Sequence, residues 1–164
     1  MTATVSIIMG SESDLGLAEK CGEVLSSLSV EYSINVFSAH RTPDLLHKHL
    51  EESERGGTKI YIGIAGLAAH LAGAIASKTV KPVIGIPGDG GPLSGFDALL
   101  STVQMPKGVP VATVAIGSAG AANAGYLAAQ ILSLESKEIA EALKQVRETN
   151  KEQITEINSK LSKS

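Results

Sequence analysis

His40 and Arg41 stand side by side in the segment SAHRTPD, directly after the apolar run INVF at residues 34–37. A histidine can donate or accept a proton at neutral pH. The arginine guanidinium offers a planar fork that binds a phosphate or a carboxylate. The two residues are compatible with a simple polar turn at a strand end, and also with a site that moves a proton on a bound anion.

A second polar loop, GSESD at residues 10–14, separates an apolar run from a helical segment. Its N–H groups and the hydroxyls of Ser11 and Ser13 could hold a phosphate at the helix N-terminus, or these serines could only cap the helix. Asp14 could accept hydrogen bonds from ribose hydroxyls or only favour the helix dipole. The loop has neither the complete G-x-G-x-x-G pattern nor a Walker lysine, so a dinucleotide site is not indicated.

His70 lies in AGLAAHL, which follows another apolar run. His47 and His49 fall within a helical segment and are interpreted as surface residues. No carboxylate-rich ligand set accompanies His40 and His70, so no metal site is predicted. No G-x-S-x-G nucleophile elbow is present either. The chemistry that remains is proton transfer on a small anionic substrate, with no cofactor.

The elements that must position these loops follow from the hydrophobic pattern. Apolar runs at residues 5–9, 32–37, 59–64, 81–87 and 109–116 alternate with helical segments at 13–28, 43–55, 70–77, 95–103 and 119–134. Continuous apolar strands separated by helices indicate a buried parallel sheet. We predict an α/β fold: a three-layer α/β/α sandwich with a flavodoxin-like or Rossmann-like sheet of about five strands. The polar loops then share the carboxyl edge of the sheet, where such folds bind ligands.

The chain changes in character after residue 135. We predict a single α/β catalytic domain over residues 1–135 and a C-terminal helical arm of the same domain over residues 136–164. The arm carries a broken apolar stripe formed by Ile139, Leu143, Val146, Ile154, Ile157 and Leu161. The stripe packs either on its own domain or on another subunit. The Ala/Gly-rich segment GSAGAANAGYLAAQIL allows the same two interpretations.

Composition excludes several classes of protein. The 164 residues are 43% apolar and only 3% aromatic, so Ala, Val, Ile and Leu must form the core. The net charge of −3 argues against a nucleic-acid partner. The single cysteine, Cys21, lies on an apolar stripe where we expect burial, and it fits a reducing compartment. No run reaches the length of a membrane span, and the N-terminal segment does not resemble a signal peptide, so we expect a cytoplasmic protein.

Five ordered motifs together carry a family resemblance. MGSESD, SAHRTPD, AGLAAHLAG, LLSTVQMPKGVPVATVAI and AGAANAGYLAAQIL resemble the N5-carboxyaminoimidazole ribonucleotide mutase family of purine biosynthesis. The resemblance extends from about residue 4 to residue 134. It implies a homo-octamer of flavodoxin-like subunits without metal or organic cofactor. It also implies an isomerase that moves a carboxylate from the exocyclic nitrogen to C4 of the imidazole.

The resemblance assigns a role to each motif residue. It implies that His40 is the catalytic proton carrier and that Ser11, Asp14 and Arg41 contact the ribose phosphate. The other expected substrate-binding residues are Gly10, Ser13, Ser38, Ala39, Ala65, Gly66, Leu67, His70 and Leu71.

Two segments depart from the family pattern, and both are expected near the carboxylate site. Ala72 stands where many members have proline, and GDGGPLSG replaces a commoner segment with Ser and Lys. The alternative is therefore an aminoimidazole ribonucleotide carboxylase that uses carbon dioxide directly. A more distant alternative is a non-catalytic nucleotide-binding module. SAHRTPD and AAHL match the mutase pattern and favour that activity.

Overall fold

A parallel sheet of five strands, in the order β2-β1-β3-β4-β5, organises the part of the chain that the computed structural model describes, residues 3–162. The strands are β1 (Val5–Met9), β2 (Tyr32–Val36), β3 (Ile60–Ala65), β4 (Val83–Pro87) and β5 (Ala112–Thr113). This doubly wound order is that of flavodoxin-like folds. The predicted fold class is confirmed.

Helices cover both faces of the sheet. They are α1 (Leu15–Ser27), α2 (Pro43–Arg55), α3 (Leu71–Ala76), α4 (Phe96–Val103), α5 (Gly117–Leu132) and α6 (Lys137–Leu161), and a short 3-10 turn at Glu12–Asp14 precedes α1. Helices α1 and α5 pack on one face, whereas α2, α3 and α4 pack on the other. Most bounds agree with the sequence prediction within two residues.

Successive side chains of β1 enter different cores. Val5, Ile7 and Met9 pack in the cluster that α1 and α5 cover, whereas Ile8 packs with residues of α2 and α3. All five residues of β1 are buried. Burial on both faces explains why the sequence shows continuous apolar runs here rather than alternation.

Strand β5 is much shorter than predicted. The apolar run at residues 109–116 indicated a full strand, but only Ala112 and Thr113 pair with β4. The run contains Pro110, which has no N–H to donate to a ladder, and β5 lies at the edge of the sheet. Pairing continues just past the strand through a hydrogen bond from Val114 N–H to the Gly85 carbonyl, at 3.1 Å.

The Ala/Gly-rich surface of α5 is used inside the chain. Ala121, Ala124 and Ala128 are fully buried in the core that α1 shares. A Cβ atom at Gly125 would lie only 2.9 Å from the Cys21 carbonyl oxygen of α1. The two helices therefore pack at very close range. Cys21 is buried, as predicted, and burial raises the pKa of its thiol to about 12.

Helix α3 approaches the other face of the sheet equally closely. A Cβ atom at Gly63 would lie 3.0 Å from the Cα atom of Ala72. Ala72 is 3% exposed and packs behind the sheet edge. The departure from proline at this position therefore changes a helix–sheet contact, and Ala72 does not line the cleft described below.

Helix α6 combines two kinds of surface. Ile139, Leu143 and Val146 pack against the core cluster. The first half of the apolar stripe therefore packs on its own domain. Ile154 and Ile157, in the second half, are 59% and 51% exposed. Over residues 3–162, no helix has both the length and the hydropathy that a bilayer crossing would need.

Candidate active site

Four loops at the carboxyl edge of the sheet enclose a cleft of about 590 Å³. The loops follow β1, β2, β3 and β4, as expected for an open parallel sheet. The structure brings all the predicted site residues to this cleft: Gly10, Ser11, Ser13, Asp14, Ser38, Ala39, His40, Arg41, Ala65, Gly66, Leu67, His70 and Leu71.

The loop after β1 begins with a tight turn. Gly10 N–H donates to the Ile64 carbonyl at 3.0 Å, which anchors the loop to β3. Ser11 caps the 3-10 turn, and its hydroxyl accepts from Ser13 N–H at 3.4 Å. The cap interpretation of Ser11 therefore holds, and the same residue also faces the cleft.

Asp14 lies where this loop becomes helix α1. Burial raises the pKa of the Asp14 carboxyl above its ordinary value, a hydrogen bond with the Ser11 backbone opposes the rise, and the negative charge of Asp89 adds to it. Asp14 therefore takes up a proton more readily than an exposed carboxyl. This lowers the electrostatic cost of placing it beside an anionic ligand.

Arg41 joins the loops after β1 and β2. Its Nη2 donates to the Gly10 carbonyl at 2.9 Å, and its Nε lies 3.3 Å from the Ser38 hydroxyl. Both partners are neutral. Among residues 3–162, the ion pairs do not include Arg41. The guanidinium is held in place while its positive charge stays available to an anion in the cleft.

The backbone of the second loop explains how Arg41 and His40 are presented. Ser38 N–H donates to the Thr42 hydroxyl at 3.0 Å, and Thr42 N–H returns a bond to the Ser38 carbonyl at 2.9 Å. Pro43 then starts α2 at a position where its missing N–H costs nothing. The closed turn projects His40 and Arg41 together toward the cleft.

His40 and His70 form a direct pair across the cleft. His40 Nε2 lies 2.6 Å from His70 Nδ1, and the rings meet edge-on at 84° with centroids 4.9 Å apart. One of the two nitrogens must donate and the other must accept, so a single proton lies between them. The pair can therefore exchange a proton with a bound substrate and pass it between rings.

Three further residues line the cleft and were not predicted: Ala68, Gly90 and Gly91. The loop after β4 was expected at this edge, but glycines carry no side-chain chemistry that would single them out. Gly91 has a φ of +87°, and a Cβ atom there would lie 2.5 Å from Leu67 Cδ2. The positive φ favours glycine at this position, and the missing Cβ leaves the space that the Leu67 side chain occupies.

His49 is not the surface residue that the sequence suggested. Its Nε2 lies 3.0 Å from the hydroxyl of buried Ser6, and its ring stacks on Phe37 at a centroid distance of 4.7 Å. Burial lowers the pKa of His49, and the negative charge of Glu52 opposes that shift. His49 thus packs on the sheet beneath α2, whereas His47 is exposed as predicted.

The chemistry available in the cleft is limited to a few groups. It holds a fixed guanidinium, several hydroxyls and backbone N–H groups, a carboxyl and the histidine pair. No group of three or more His, Cys, Asp or Glu side chains within residues 3–162 is arranged to hold a metal ion. These groups suit two tasks: the binding of a phosphorylated ligand that carries hydroxyl groups, and acid–base chemistry on a ring of that ligand.

Comparisons with known proteins point to one family. A family model described as AIR carboxylase matches residues 4–153. An N5-carboxyaminoimidazole ribonucleotide mutase from Pseudomonas aeruginosa is 50% identical, over 94% of this chain and 94% of that protein. Proteins of the same name from Bacillus subtilis and Escherichia coli K12 are 48% and 47% identical, covering 98% and 94% of this chain and 99% and 91% of their own lengths.

Solved structures give the same result. The crystal structure of Treponema denticola PurE superposes with a TM-score of 0.88 at 38% identity, covering 96% of this chain and 97% of that chain. The crystal structure of Treponema denticola PurE2-S38D gives a TM-score of 0.90 at 37% identity, covering 98% of this chain and 99% of that chain.

Proposed function

The chain belongs to the AIR carboxylase family, and we propose that it acts in purine biosynthesis as an isomerase of the kind for which its relatives are named. It converts N5-carboxyaminoimidazole ribonucleotide to 4-carboxyaminoimidazole ribonucleotide. The reaction moves a carboxylate from the exocyclic nitrogen N5 to ring carbon C4. The 2.6 Å pair of His40 and His70, in the cleft that Arg41 also lines, carries the proposal.

The proposed binding mode uses the loops after β1 and β2. Ser11, Ser13 and Arg41 hold the phosphate, and Asp14 accepts hydrogen bonds from the ribose. The absence of a carboxylate partner for Arg41 within residues 3–162 supports this role. The imidazole then lies against the remaining proposed contacts: Gly10, Ser38, Ala39, Ala65, Gly66, Leu67, His70 and Leu71.

The proposed chemistry needs one proton carrier. Protonated His40 gives its proton to N5, the N–C bond breaks, and aminoimidazole ribonucleotide and carbon dioxide remain in the cleft. Ring carbon C4 then attacks carbon dioxide and becomes tetrahedral. Neutral His40 removes the C4 proton, which restores the aromatic ring and returns the histidine to its starting state. No redox change occurs, and the steps involve no metal or organic cofactor.

Retention of carbon dioxide is the second requirement. A trapped molecule recombines as an effectively unimolecular reaction, which can account for a large part of the rate gain. Leu67, which closes against Gly91, is well placed to cover the cleft. The glycine-rich loops let the backbone approach the ligand closely and exclude water.

Two substrates test the proposal. Purified protein is offered N5-carboxyaminoimidazole ribonucleotide, or aminoimidazole ribonucleotide with bicarbonate. We expect turnover of the first, as the names of the relatives favour; turnover of only the second would indicate a direct carboxylase.

His40→Asn should lower kcat by about a hundredfold or more because the proton carrier is lost. His47→Asn, an exposed residue on α2, serves as the matched control and should keep wild-type activity. Full activity in His40→Asn would show that His40 is not the proton carrier, and turnover of neither substrate by the wild-type protein would favour a non-catalytic nucleotide-binding module.

We also propose a homo-octameric, cytoplasmic protein. The exposed apolar residues of the second half of α6 support assembly, because contact with another subunit would remove their apolar surface from water. The single cysteine, unpaired and buried, is in keeping with a reducing compartment. No nucleic-acid or membrane partner is part of the proposal.

A further inference from the structure

The loop that connects β3 to α3 carries an unusual backbone. Leu67 has a φ of +54°, a left-handed conformation that residues with a Cβ atom rarely adopt. The loop is short, because β3 ends at Ala65 and α3 begins at Leu71. It nevertheless presents Leu67 and His70 to the cleft. A strained loop of this kind persists only where neighbouring groups hold it.

Helix α4 supplies such a group. The hydroxyl of Ser101 accepts a hydrogen bond from Ala69 N–H at 3.2 Å and lies 3.4 Å from the Leu67 carbonyl. The same hydroxyl is closest to the Asp97 carbonyl of its own helix, to which it donates. A serine hydroxyl has one proton, so donation to Asp97 directs its lone pairs toward Ala69.

The bond to Ala69 is difficult to replace. Ala69 is 2% exposed, so water has little access to its N–H when the serine hydroxyl is removed. A buried donor without a partner is costly, and the loop would move to find one. His70 follows directly, and its N–H donates to the Ala68 carbonyl at 2.8 Å. Movement of Ala69 therefore moves the backbone that holds the His70 ring.

We infer that Ser101 is a positioning residue: its hydroxyl fixes the strained β3–α3 turn and thereby keeps His70 in contact with His40. Ser101 does not line the cleft and acts through the loop alone. The catalytic part of this inference rests on the proposed function. The geometric part, Ser101 holding His70 through Ala69, stands independently of it.

Three variants of α4 test the inference. Ser101→Ala removes the bond to Ala69, whereas Ser101→Thr keeps a hydroxyl at the same place. Thr102→Val is the matched control, because the Thr102 hydroxyl bonds only to the Ala98 carbonyl within the helix, at 2.7 Å. Thr102 is buried, so removal of its hydroxyl affects stability, but the hydrogen bond between Ser101 and the loop remains.

Steady-state kinetics give the first readout. Ser101→Ala should lower kcat about tenfold or more and leave KM within about twofold, because misplacing a catalytic group by a fraction of an ångström is costly while the phosphate contacts remain. Ser101→Thr should recover most of the rate. Thr102→Val should keep the wild-type kcat even if its melting temperature falls.

Histidine-specific isotope labelling gives a readout that needs no substrate. Nuclear magnetic resonance signals of His40 and His70 should shift in Ser101→Ala and return in Ser101→Thr, while those of His47 stay unchanged. Wild-type histidine signals in Ser101→Ala would overturn the geometric part. Shifted signals with an unchanged kcat would overturn the catalytic part. If the wild-type protein itself converts neither substrate, the proposed function fails, and the histidine signals still decide whether Ser101 positions His70.

Discussion

The contact between His40 and His70 restricts the protonation states that the cleft can hold. At 2.6 Å between Nε2 and Nδ1, the pair accommodates one bridging proton, but two would face each other as donors. The tautomer of either ring therefore depends on the other. His70 therefore fixes the tautomer in which His40 accepts the C4 proton and keeps it for N5 of the next substrate molecule.

A different histidine, His49, should make the stability of the fold depend on pH. His49 lies in a half-buried site, where it meets Ser6 and Phe37, and burial lowers its pKa. Below an ordinary histidine pKa of about 6.5, the unfolded chain binds a proton at this position that the folded chain resists. The free energy of unfolding should therefore fall as the pH drops through that value, and the fall should stop once the folded pKa is passed.

Urea unfolding between about pH 7.5 and about pH 5 measures this effect. His49→Gln keeps a hydrogen-bonding side chain that does not titrate and should flatten the dependence of unfolding free energy on pH. His47→Gln removes an exposed histidine beside Glu51 and should leave most of the dependence in place. Equal slopes in wild type and His49→Gln would show that His49 does not sense pH.

At the scale of helices, the close contact between α1 and α5 sets a steric requirement. A Cβ atom at Gly125 would meet the Cys21 carbonyl and the Val24 side chain at 2.9 Å. Gly125→Ala should therefore destabilise the fold by about 1–3 kcal/mol, as overpacking does. Gly16→Ala on α1 makes the same change where nothing lies within 4 Å, and it should be neutral or stabilising. Urea unfolding of both variants compares them directly; equal stabilities would contradict the close packing of these helices.

Much of the element pattern could be predicted because the sheet is buried on both faces. Strands such as β1 then consist of unbroken apolar residues, and Pro43 marks the start of α2 in the sequence itself. The length of β5 could not be predicted, since an edge strand has one partner and the apolar residues around Pro110 pack without completing a ladder. His49 was misjudged because helical position alone does not reveal that α2 turns that face toward Ser6.

The lining of the cleft was predictable where side chains carry chemistry. His40, Arg41 and Asp14 are identified by their residue types and by their places after successive strands. Gly90 and Gly91 were missed because their contribution is the space they leave for Leu67, which only the folded chain reveals. Ser101 was missed for a related reason: it acts from α4 through backbone atoms of a loop distant in sequence.

At the level of the whole molecule, the second half of α6 is the surface that we propose contacts another subunit. Ile154, Ile157 and Leu161 are exposed on one side of a helix whose first half is anchored to the core. Ile154→Glu combined with Ile157→Glu should lower the native mass measured by light scattering, because charges replace the proposed contact with another subunit. Ser159→Glu adds a charge at an exposed polar position and should keep the wild-type mass. A monomeric wild-type protein would contradict the assembly.

The proposed function depends on one step: the carboxylate leaves N5 and reaches C4 within one cleft, with His40 carrying the proton. The most direct measurement follows N5-carboxyaminoimidazole ribonucleotide labelled with 13C in its carboxylate, incubated with the protein and unlabelled bicarbonate. We expect the product to keep the label on C4, and His40→Asn to form this product about a hundredfold more slowly or worse. A product whose carboxylate comes from the unlabelled pool, or an undiminished rate in His40→Asn, would contradict it.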